Sequence, residues 1–234
     1  MSSFFIDFDQ KSTEVSVVSD EYHHICKVFR HKVGEVIPIL NGKGLSAQGK
    51  IVDITKKQIE LSIFDIIFTS RTQKRVACAF SLLKNKNDLW IVEKLTELGV
   101  TDIFPIVTCH SVKQGKENTI EKYQKTAISA VKQCDNPYLP NIYEVNDLTS
   151  LLKLLIEKKY TPIVASETRP NLTLTNYLKN NINLEICIII GCEGGWDKKE
   201  LNFFEANNII QVKLVENILR AETAAICAVS KLVD

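Results

Sequence analysis

The spacing of hydrophobic and polar residues changes near residue 70, and this change divides the chain into two parts. From residue 76 onwards, unbroken apolar runs alternate with stretches in which apolar residues recur every three or four positions. The run Ile186–Ile190, which is rich in β-branched residues, is typical of a strand buried on both faces. The stripe Val92, Leu95 and Leu98 predicts a helix with one inward face. This alternation of strands and helices predicts an α/β domain with a parallel sheet.

The helix ends in this half carry their own signals. Asp197 and Glu200 form a capping-box pattern, and Gly99 stands where a helix C-cap glycine belongs. The predicted strands cover 76–83, 103–107, 162–166, 186–190 and 209–214, and the predicted helices cover 88–98, 117–133, 148–159, 197–207 and 220–232.

The first 70 residues contain many short strand-like runs and frequent turn signals. Strands are predicted over 4–8, 14–18, 36–40, 46–53 and 58–64, with a hairpin turn at Asn41-Gly42. Tyr22 and Ile25 share a face with Val28 or Phe29, which predicts a short helix over 21–30. Many short strands with one helix predict a small β-barrel. We therefore expect a barrel over 1–70, a polar linker over 71–75 and a second domain over 76–234.

The composition of the chain limits the classes of function that it can have. The chain has 234 residues, of which 45% are hydrophobic and 24% charged, and its net charge is +1. This balance predicts no overall attraction to nucleic acid, so RNA binding requires local basic clusters. The seven cysteines are scattered without a Cys-x-x-Cys pair, which predicts neither a disulfide framework nor a metal site and fits a cytoplasmic protein. No run is apolar and long enough to predict a membrane span.

A basic cluster lies on the polar face of the first predicted helix. One interpretation is a solvated helix face, and the other is a patch that contacts phosphates along an RNA backbone. The candidate RNA-binding residues here and further along the chain are His24, Lys27, Arg30, Lys32, Lys43, Arg71, Lys84 and Lys86.

Two loops near the C-terminus are predicted to leave the same edge of the parallel sheet. Gly191–Gly195 follows the strand 186–190, and Val215–Leu219 follows the strand 209–214. Ligands of open α/β sheets bind at this edge. The glycine turn matches neither the dinucleotide fingerprint nor the Walker phosphate loop. Taken alone, it is equally typical of a strand-to-helix turn that binds no ligand.

The two loops together resemble the signatures of the SPOUT methyltransferases, and within them of the RsmE-type enzymes. The first family signature, Ile-Gly-Pro-Glu-Gly-Gly-Phe, stands here as residues 190–196, with Cys192 and Trp196 as departures. The second, Leu-Gly, two variable residues and Ile-Leu-Arg-Thr-Glu-Thr-Ala, stands as residues 214–224, with Val215 and Ala221 as departures. The stretches 24–30 and 41–44 are similar to the family's N-terminal barrel, which resembles the PUA RNA-binding module.

The resemblance implies a function. RsmE-type enzymes transfer a methyl group from S-adenosylmethionine to N3 of a uridine in 16S ribosomal RNA, and we expect the assembled small subunit to be the substrate. The family also implies a deep trefoil knot, a homodimer and a cofactor held by the backbone of three loops. The cofactor-binding residues that it implies here are Ser166, Glu167, Ile190, Gly191, Gly194, Gly195, Leu214, Val215, Ile218, Leu219 and Thr223.

Methylation at N3 requires a positively charged group near the uracil base. Uracil N3 must lose a proton, so a cation near the uracil oxygens would stabilise the developing anion, and a base or water must accept the proton. Arg220 is the candidate cation, with Glu193 and Glu222 as candidates for orienting it or accepting the proton. The alternatives are a structural salt bridge between Arg220 and one of these glutamates, and a Glu193 side chain that accepts backbone N–H bonds.

Two other functions remain open from the sequence. The chain could be a SPOUT methyltransferase that acts on transfer RNA or on a ribose hydroxyl. It could also be a non-catalytic RNA-binding protein, because Val215, Lys132 and Asn136 depart from the family pattern.

Overall fold

The structure is a computed structural model that describes residues 3–71, 74–84, 87–111, 115, 117–168, 171–181 and 185–233. The chain forms two compact units. The first comprises Met1–Thr72 with Ile128–Leu139, and the second comprises Gln73–Ala127 with Pro140–Asp234. The segment 128–139 thus belongs to the first unit, whereas the sequence pattern placed it in the second domain.

A mixed sheet forms the first unit. Within the described residues it has five strands in the order β1-β3-β4-β5-β2, and β1 pairs with β3 in parallel while the other pairs are antiparallel. The strands are β1 (Phe4–Phe5), β2 (Glu14–Val17), β3 (Val36–Leu40), β4 (Leu45–Ile54) and β5 (Ile59–Phe68). Their inward residues, among them Ile37, Ile51 and Leu61, form one buried cluster with Ile25.

The predicted hairpin turn is confirmed at the β3–β4 connection. The Asn41 side chain is buried, and its Oδ1 accepts hydrogen bonds from the amides of Lys43 (2.8 Å) and Leu45 (3.0 Å). Gly42 and Gly44 have φ values of +72° and +100°, which glycine adopts without steric cost. The loop therefore depends on one buried amide side chain and two glycines.

The predicted first helix is present but has two parts. It begins as α1 (Ser19–His23) and continues as a π-helical turn over His24–Val28. The amide of Phe29 accordingly donates to the carbonyl of His24 at 2.9 Å, five residues back. Widened turns of this kind are rare and cannot be inferred from a 3.6-residue periodicity.

The second unit contains the predicted parallel sheet. Within the described residues it has six strands in the order β11-β9-β10-β6-β7-β8, and all of their pairings are parallel. The strands are β6 (Val76–Ser81), β7 (Asp102–Ile106), β8 (Asn141–Ile142), β9 (Thr161–Ala165), β10 (Ile186–Ile190) and β11 (Ile210–Val212). The short strand β8 was not predicted, because two residues show no periodicity.

Helices separate these strands along the chain. They are α2 (Asn87–Glu97), α3 (Thr119–Cys134), α4 (Leu148–Glu157), α5 (Leu174–Lys179), α6 (Lys198–Ala206) and α7 (Ala221–Val233). The predicted helices are confirmed to within a few residues, but the six-residue α5 was missed. Its N-cap is Thr173, whose side chain accepts a hydrogen bond from the amide of Asn176.

The amino-terminal edge of this sheet contains a buried carboxylate. Asp102 is 2% exposed, and it accepts hydrogen bonds from the hydroxyls of Tyr143 (2.9 Å) and Tyr160 and from Nδ2 of Asn141 (2.9 Å). Burial and the Asp102 hydrogen bond raise the pKa of Tyr160 well above its usual range, so this hydroxyl remains a donor. A buried carboxylate with three donors ties together β7, β8 and the start of β9.

We expect the substitution Asp102→Ala to lower the free energy of unfolding by about 3 kcal/mol, since it leaves buried donors without an acceptor. Urea denaturation followed by circular dichroism measures this loss. The matched control is Glu144→Ala, which removes an exposed carboxylate of the same unit and should change stability by less than about 0.5 kcal/mol. Equal effects of the two substitutions would contradict the assigned role of Asp102.

Candidate active site

The carboxyl ends of three adjacent strands bring the predicted site loops to one edge of the second unit's sheet. β9 ends at Ala165, β10 at Ile190 and β11 at Val212, and these three strands are neighbours. The amide of Ser166 continues the pairing by donating to the carbonyl of Val212 at 3.0 Å. Parallel pairing therefore places all three loops at one edge, where α/β sheets bind ligands.

The glycine turn after β10 is held by Trp196. The amide of Gly195 donates to the carbonyl of Cys192 at 3.0 Å, and Gly195 has a φ of +69°. The Trp196 ring folds back over Gly191, where a side-chain Cβ would lie 3.1 Å from the ring. Its indole N–H donates to the carbonyl of Ala165 at 2.8 Å. The tryptophan thus connects the turn to the neighbouring strand end.

The predicted capping box begins α6 directly after this turn. The Asp197 side chain accepts the amide of Lys199 at 2.8 Å, and the amide of Asp197 donates to Glu200 Oε2 at 2.9 Å. Glu200 is 5% exposed, and its other oxygen accepts the amide of Cys109 at 2.9 Å. One buried carboxylate therefore joins the loop after β7 to the start of α6.

The third loop follows β11 and leads into α7. The carbonyl of Lys213 accepts the amide of Leu174, and the Lys231 ammonium donates to the carbonyl of Leu214 at 2.7 Å. Val215 is half-buried and does not have a left-handed φ, so the β-branched residue is not strained there. Ile218 is 78% exposed. The departure at Val215 is therefore compatible with the observed loop.

The three candidate catalytic residues do not contact one another as a group. Arg220 is exposed and, within the described part of the chain, forms no ion pair. Glu222 is buried, and its Oε1 accepts a hydrogen bond from Nδ2 of Asn87 at 3.3 Å. Glu193 is exposed, and its Oε1 accepts the amide of Lys84 at 3.2 Å. These contacts do not support the structural salt bridge considered for Arg220.

The remaining predicted cofactor residues line the same loops. Thr223 is exposed in the first turn of α7, and Glu167 is exposed after β9. Ser166 is buried, with its hydroxyl 3.4 Å from that of Thr168.

His110 contacts the glycine turn, and the sequence analysis did not single it out. Its Nδ1 lies 3.0 Å from the carbonyl oxygen of Gly194 and 3.2 Å from that of Gly195. His110 follows the strand β7 in the sequence, and polar residues just beyond a buried parallel strand reach the ligand-binding edge. The same rule, applied to the segment after β7, would have identified His110 from the sequence.

The candidate RNA-binding residues of the first unit differ in their surroundings. Lys27, Arg30 and Lys32 are exposed. The Lys43 ammonium lies 3.1 Å from a carboxylate oxygen of Asp7. The Arg71 guanidinium stacks over the ring of Tyr138 at 4.6 Å from its centroid. Lys43 and Arg71 are exposed as well, so these residues differ in their local contacts and not in their accessibility.

His24 belongs to a network around Lys132. The Lys132 ammonium lies 2.6 Å from Glu21 Oε1 and 3.1 Å from His24 Nδ1, and the Lys132 side chain is 12% exposed. The lysine that departs from the family pattern is therefore an internal partner of Glu21. In the second unit Lys84 is exposed, whereas Lys86 lies outside the described residues.

The chain thus combines an α/β unit that has three loops at the ligand-binding edge of its parallel sheet with a β unit that carries exposed basic residues. Residues 70–233 match the family of the RNA methyltransferase domain, and residues 19–64 match that of the RNA methyltransferase PUA domain. The chain belongs to the RNA methyltransferase family.

Several relatives share the name Ribosomal RNA small subunit methyltransferase E. The Rickettsia conorii protein is 27% identical over an alignment of 228 positions, gaps included, that covers 95% of this chain and 90% of that protein. The Bacillus subtilis protein is 24% identical over an alignment of 246 positions, gaps included, that covers 99% of this chain and 96% of that protein.

Solved structures agree with this fold. The methyltransferase E of Neisseria gonorrhoeae, bound to S-adenosyl methionine, superposes with a TM-score of 0.85 at 22% identity and covers 98% of this chain and 95% of its own. A Legionella pneumophila methyltransferase with bound S-adenosyl methionine gives a TM-score of 0.83 at 21% identity, with 99% and 95% covered. The predicted combination of a PUA-like unit and a SPOUT-type parallel-sheet unit is confirmed.

Two kinds of feature are absent from the described residues. No helix among them is long and apolar enough to cross a membrane. They also contain no group of three or more His, Cys, Asp or Glu side chains arranged to hold a metal ion.

We expect Trp196→Phe to lower the free energy of unfolding by about 1–2 kcal/mol, because the carbonyl of Ala165 loses its donor. Urea denaturation measures the change. Trp90→Phe is the matched control, since Trp90 is 46% exposed and its substitution should cost less than about 0.5 kcal/mol. If both substitutions cost equally little, the indole N–H does not stabilise the turn.

Proposed function

We propose that this enzyme transfers a methyl group from S-adenosylmethionine to N3 of a uridine in 16S ribosomal RNA of the small subunit. The observation that carries the proposal is the arrangement of the two signature loops. They lie at one edge of the parallel sheet, and the exposed Arg220 follows the second loop directly. The names of the relatives support a ribosomal RNA substrate.

The loops suit a cofactor that is recognised through the backbone. Gly194 is exposed and Gly195 half-exposed, so the peptide groups of the turn are accessible. A Cβ at Gly194 would collide with His110 at 2.7 Å, and one at Gly191 would lie in tight contact with Trp196 at 3.1 Å. The proposed cofactor-binding residues are those of the three loops, namely Ser166, Glu167, Ile190, Gly191, Gly194, Gly195, Leu214, Val215, Ile218, Leu219 and Thr223. S-adenosylmethionine, when bound, supplies an electrophilic methyl group on a sulfonium.

Arg220 is the group that makes N3 of the uridine reactive. With S-adenosylmethionine bound, N3 would lose its proton to a base and accept the methyl group that the cofactor supplies. Negative charge would develop on the uracil oxygens before the methyl group is transferred, and an exposed guanidinium with no carboxylate partner among the described residues would stabilise it. Glu193, exposed at the turn, is the proposed proton acceptor. Glu222 positions the start of α7 through its hydrogen bond to Asn87.

The proposed substrate and the proposed oligomeric state are those that the family resemblance implies. The basic residues Lys27, Arg30 and Lys32 of the PUA-like unit contact RNA phosphates, together with Lys84 of the catalytic unit. The substrate is the assembled small subunit, and the enzyme is a homodimer with a deep trefoil knot. All seven cysteines are free thiols, which supports a place in the reducing cytoplasm.

The test is a methylation assay with labelled S-adenosylmethionine and small subunits that lack the modification. We expect the digested RNA to yield labelled N3-methyluridine, with Arg220→Ala reducing the single-turnover rate by about 100-fold or more while cofactor binding is unchanged. Arg220→Lys is the conservative variant, and it should recover only part of the rate because it loses the planar guanidinium.

Other results of this assay would support one of the alternative functions. A labelled 2′-O-methyl nucleoside, or label in transfer RNA alone, would replace the uridine-N3 assignment. Cofactor binding with full activity of Arg220→Ala would remove Arg220 from the mechanism. A folded protein that binds RNA but transfers no label to competent subunits would be a non-catalytic binding protein.

We expect Lys27→Ala and Lys32→Ala each to weaken RNA binding and to reduce the slope of log Kobs against log salt by about 1, since each removes one phosphate contact. Filter binding at several salt concentrations measures the slope. Lys57→Ala is the matched control, because Lys57 is an exposed lysine outside the basic helix face. An unchanged slope in the first two variants would exclude them from the interface.

A further inference from the structure

We propose that His110 is a positioning residue that holds the glycine turn of the cofactor site in its binding conformation. The inference rests on the proposed binding of S-adenosylmethionine at this turn and identifies a residue outside the two signature loops. His110 lies in the segment after β7, which is remote in sequence from the turn.

Hydrogen bonding fixes the role of the imidazole. Its Nδ1 lies within 3.0 Å and 3.2 Å of the carbonyl oxygens of Gly194 and Gly195. Carbonyl oxygens only accept hydrogen bonds, so Nδ1 carries the proton in either the neutral tautomer or the imidazolium. The other nitrogen, Nε2, is 3.9 Å from Asp197 Oδ2, which is too long for a hydrogen bond. The contact with the turn therefore depends on a single N–H at the Nδ1 position.

Packing gives a second and independent link between the histidine and the turn. A Cβ built on Gly194 would lie 2.7 Å from His110 Cβ, and the three nearest atoms all belong to His110. The φ of Gly194 is not left-handed. Glycine is thus required at position 194 by the approach of the histidine and not by backbone conformation.

The segment that carries His110 is itself anchored. The amide of the adjacent Cys109 donates to the buried Glu200, and the hydroxyl of Ser111 lies 2.6 Å from that of Ser81 at the end of β6. A donor on an anchored segment limits the motion of the two glycine peptides, which have little intrinsic preference for one conformation. A preorganised turn binds its ligand more tightly, because less conformational entropy is lost on binding.

The first experiment compares three substitutions by calorimetric titration with S-adenosylmethionine. We expect His110→Ala to raise the Kd about tenfold. The amide nitrogen of asparagine occupies the place of Nδ1, so His110→Asn should restore the affinity to within about threefold of the parent. The amide of glutamine matches Nε2 instead, and His110→Gln should remain as weak as His110→Ala. In kinetics the KM for the cofactor should rise while kcat at saturation stays within about twofold, as for a lost interaction that is made equally in the ground state and the transition state.

The second experiment is a double-mutant cycle. Gly194→Ala should weaken cofactor binding in the parent but cause no further loss in a His110→Gly background, where the colliding Cβ is absent. Equal losses in both backgrounds would overturn the packing argument.

The outcomes separate this inference from the proposed function. A parent protein that does not bind S-adenosylmethionine overturns the proposed function and this inference with it. A parent that binds, with His110→Ala or His110→Gln as tight as the parent, overturns the role of His110 alone. A uniform loss of thermal stability in all three variants, without the asparagine rescue, identifies a general packing role and also overturns the proposal.

Discussion

Parallel pairing of β10 with both neighbours is the constraint on which the site depends. All five residues of β10 are buried, and the strand pairs with β9 on one side and β6 on the other. A strand in this position has no face or edge left for water, so its sequence is apolar throughout. Chemistry is therefore confined to the loops beyond the strand ends. The direction of the strands then decides that these loops meet at one edge.

The loops at that edge are held by contacts between chain segments that are distant in sequence. Trp196 bonds to the end of β9, the buried Glu200 bonds to the segment after β7, and His110 of that segment bonds back to the glycine turn. Glycine residues provide the space for these approaches, but they also leave the turn flexible. The surrounding side chains supply the rigidity that the glycine peptides lack. The conformation of the glycine turn therefore depends on side chains outside the turn as well as on the residues of the turn itself.

Charge is distributed unevenly around the site. Glu222 is turned into the interior and Glu193 accepts a backbone amide, whereas Arg220 is exposed without a carboxylate partner among the described residues. An unpaired guanidinium retains its full capacity to stabilise a developing anion, and a paired one does not. In the first unit the opposite holds for Lys132, which is nearly buried beside Glu21. Arg220 is thus available to a substrate, whereas Lys132 is an internal residue of the first unit.

The sequence by itself determined most of the strands and helices in both halves, although not β8 or α5, together with the capping box at Asp197, the hairpin at Asn41 and the two signature loops. These features depend on local periodicity and on turn chemistry, which a single chain segment contains in full. The tertiary structure decided what local patterns do not encode. It assigned the segment 128–139 to the first unit, paired Lys132 with Glu21 and brought His110 to Gly194 across more than 80 positions. Contacts of this kind form only when the sheet has set the order of its strands, because that order decides which loops become neighbours.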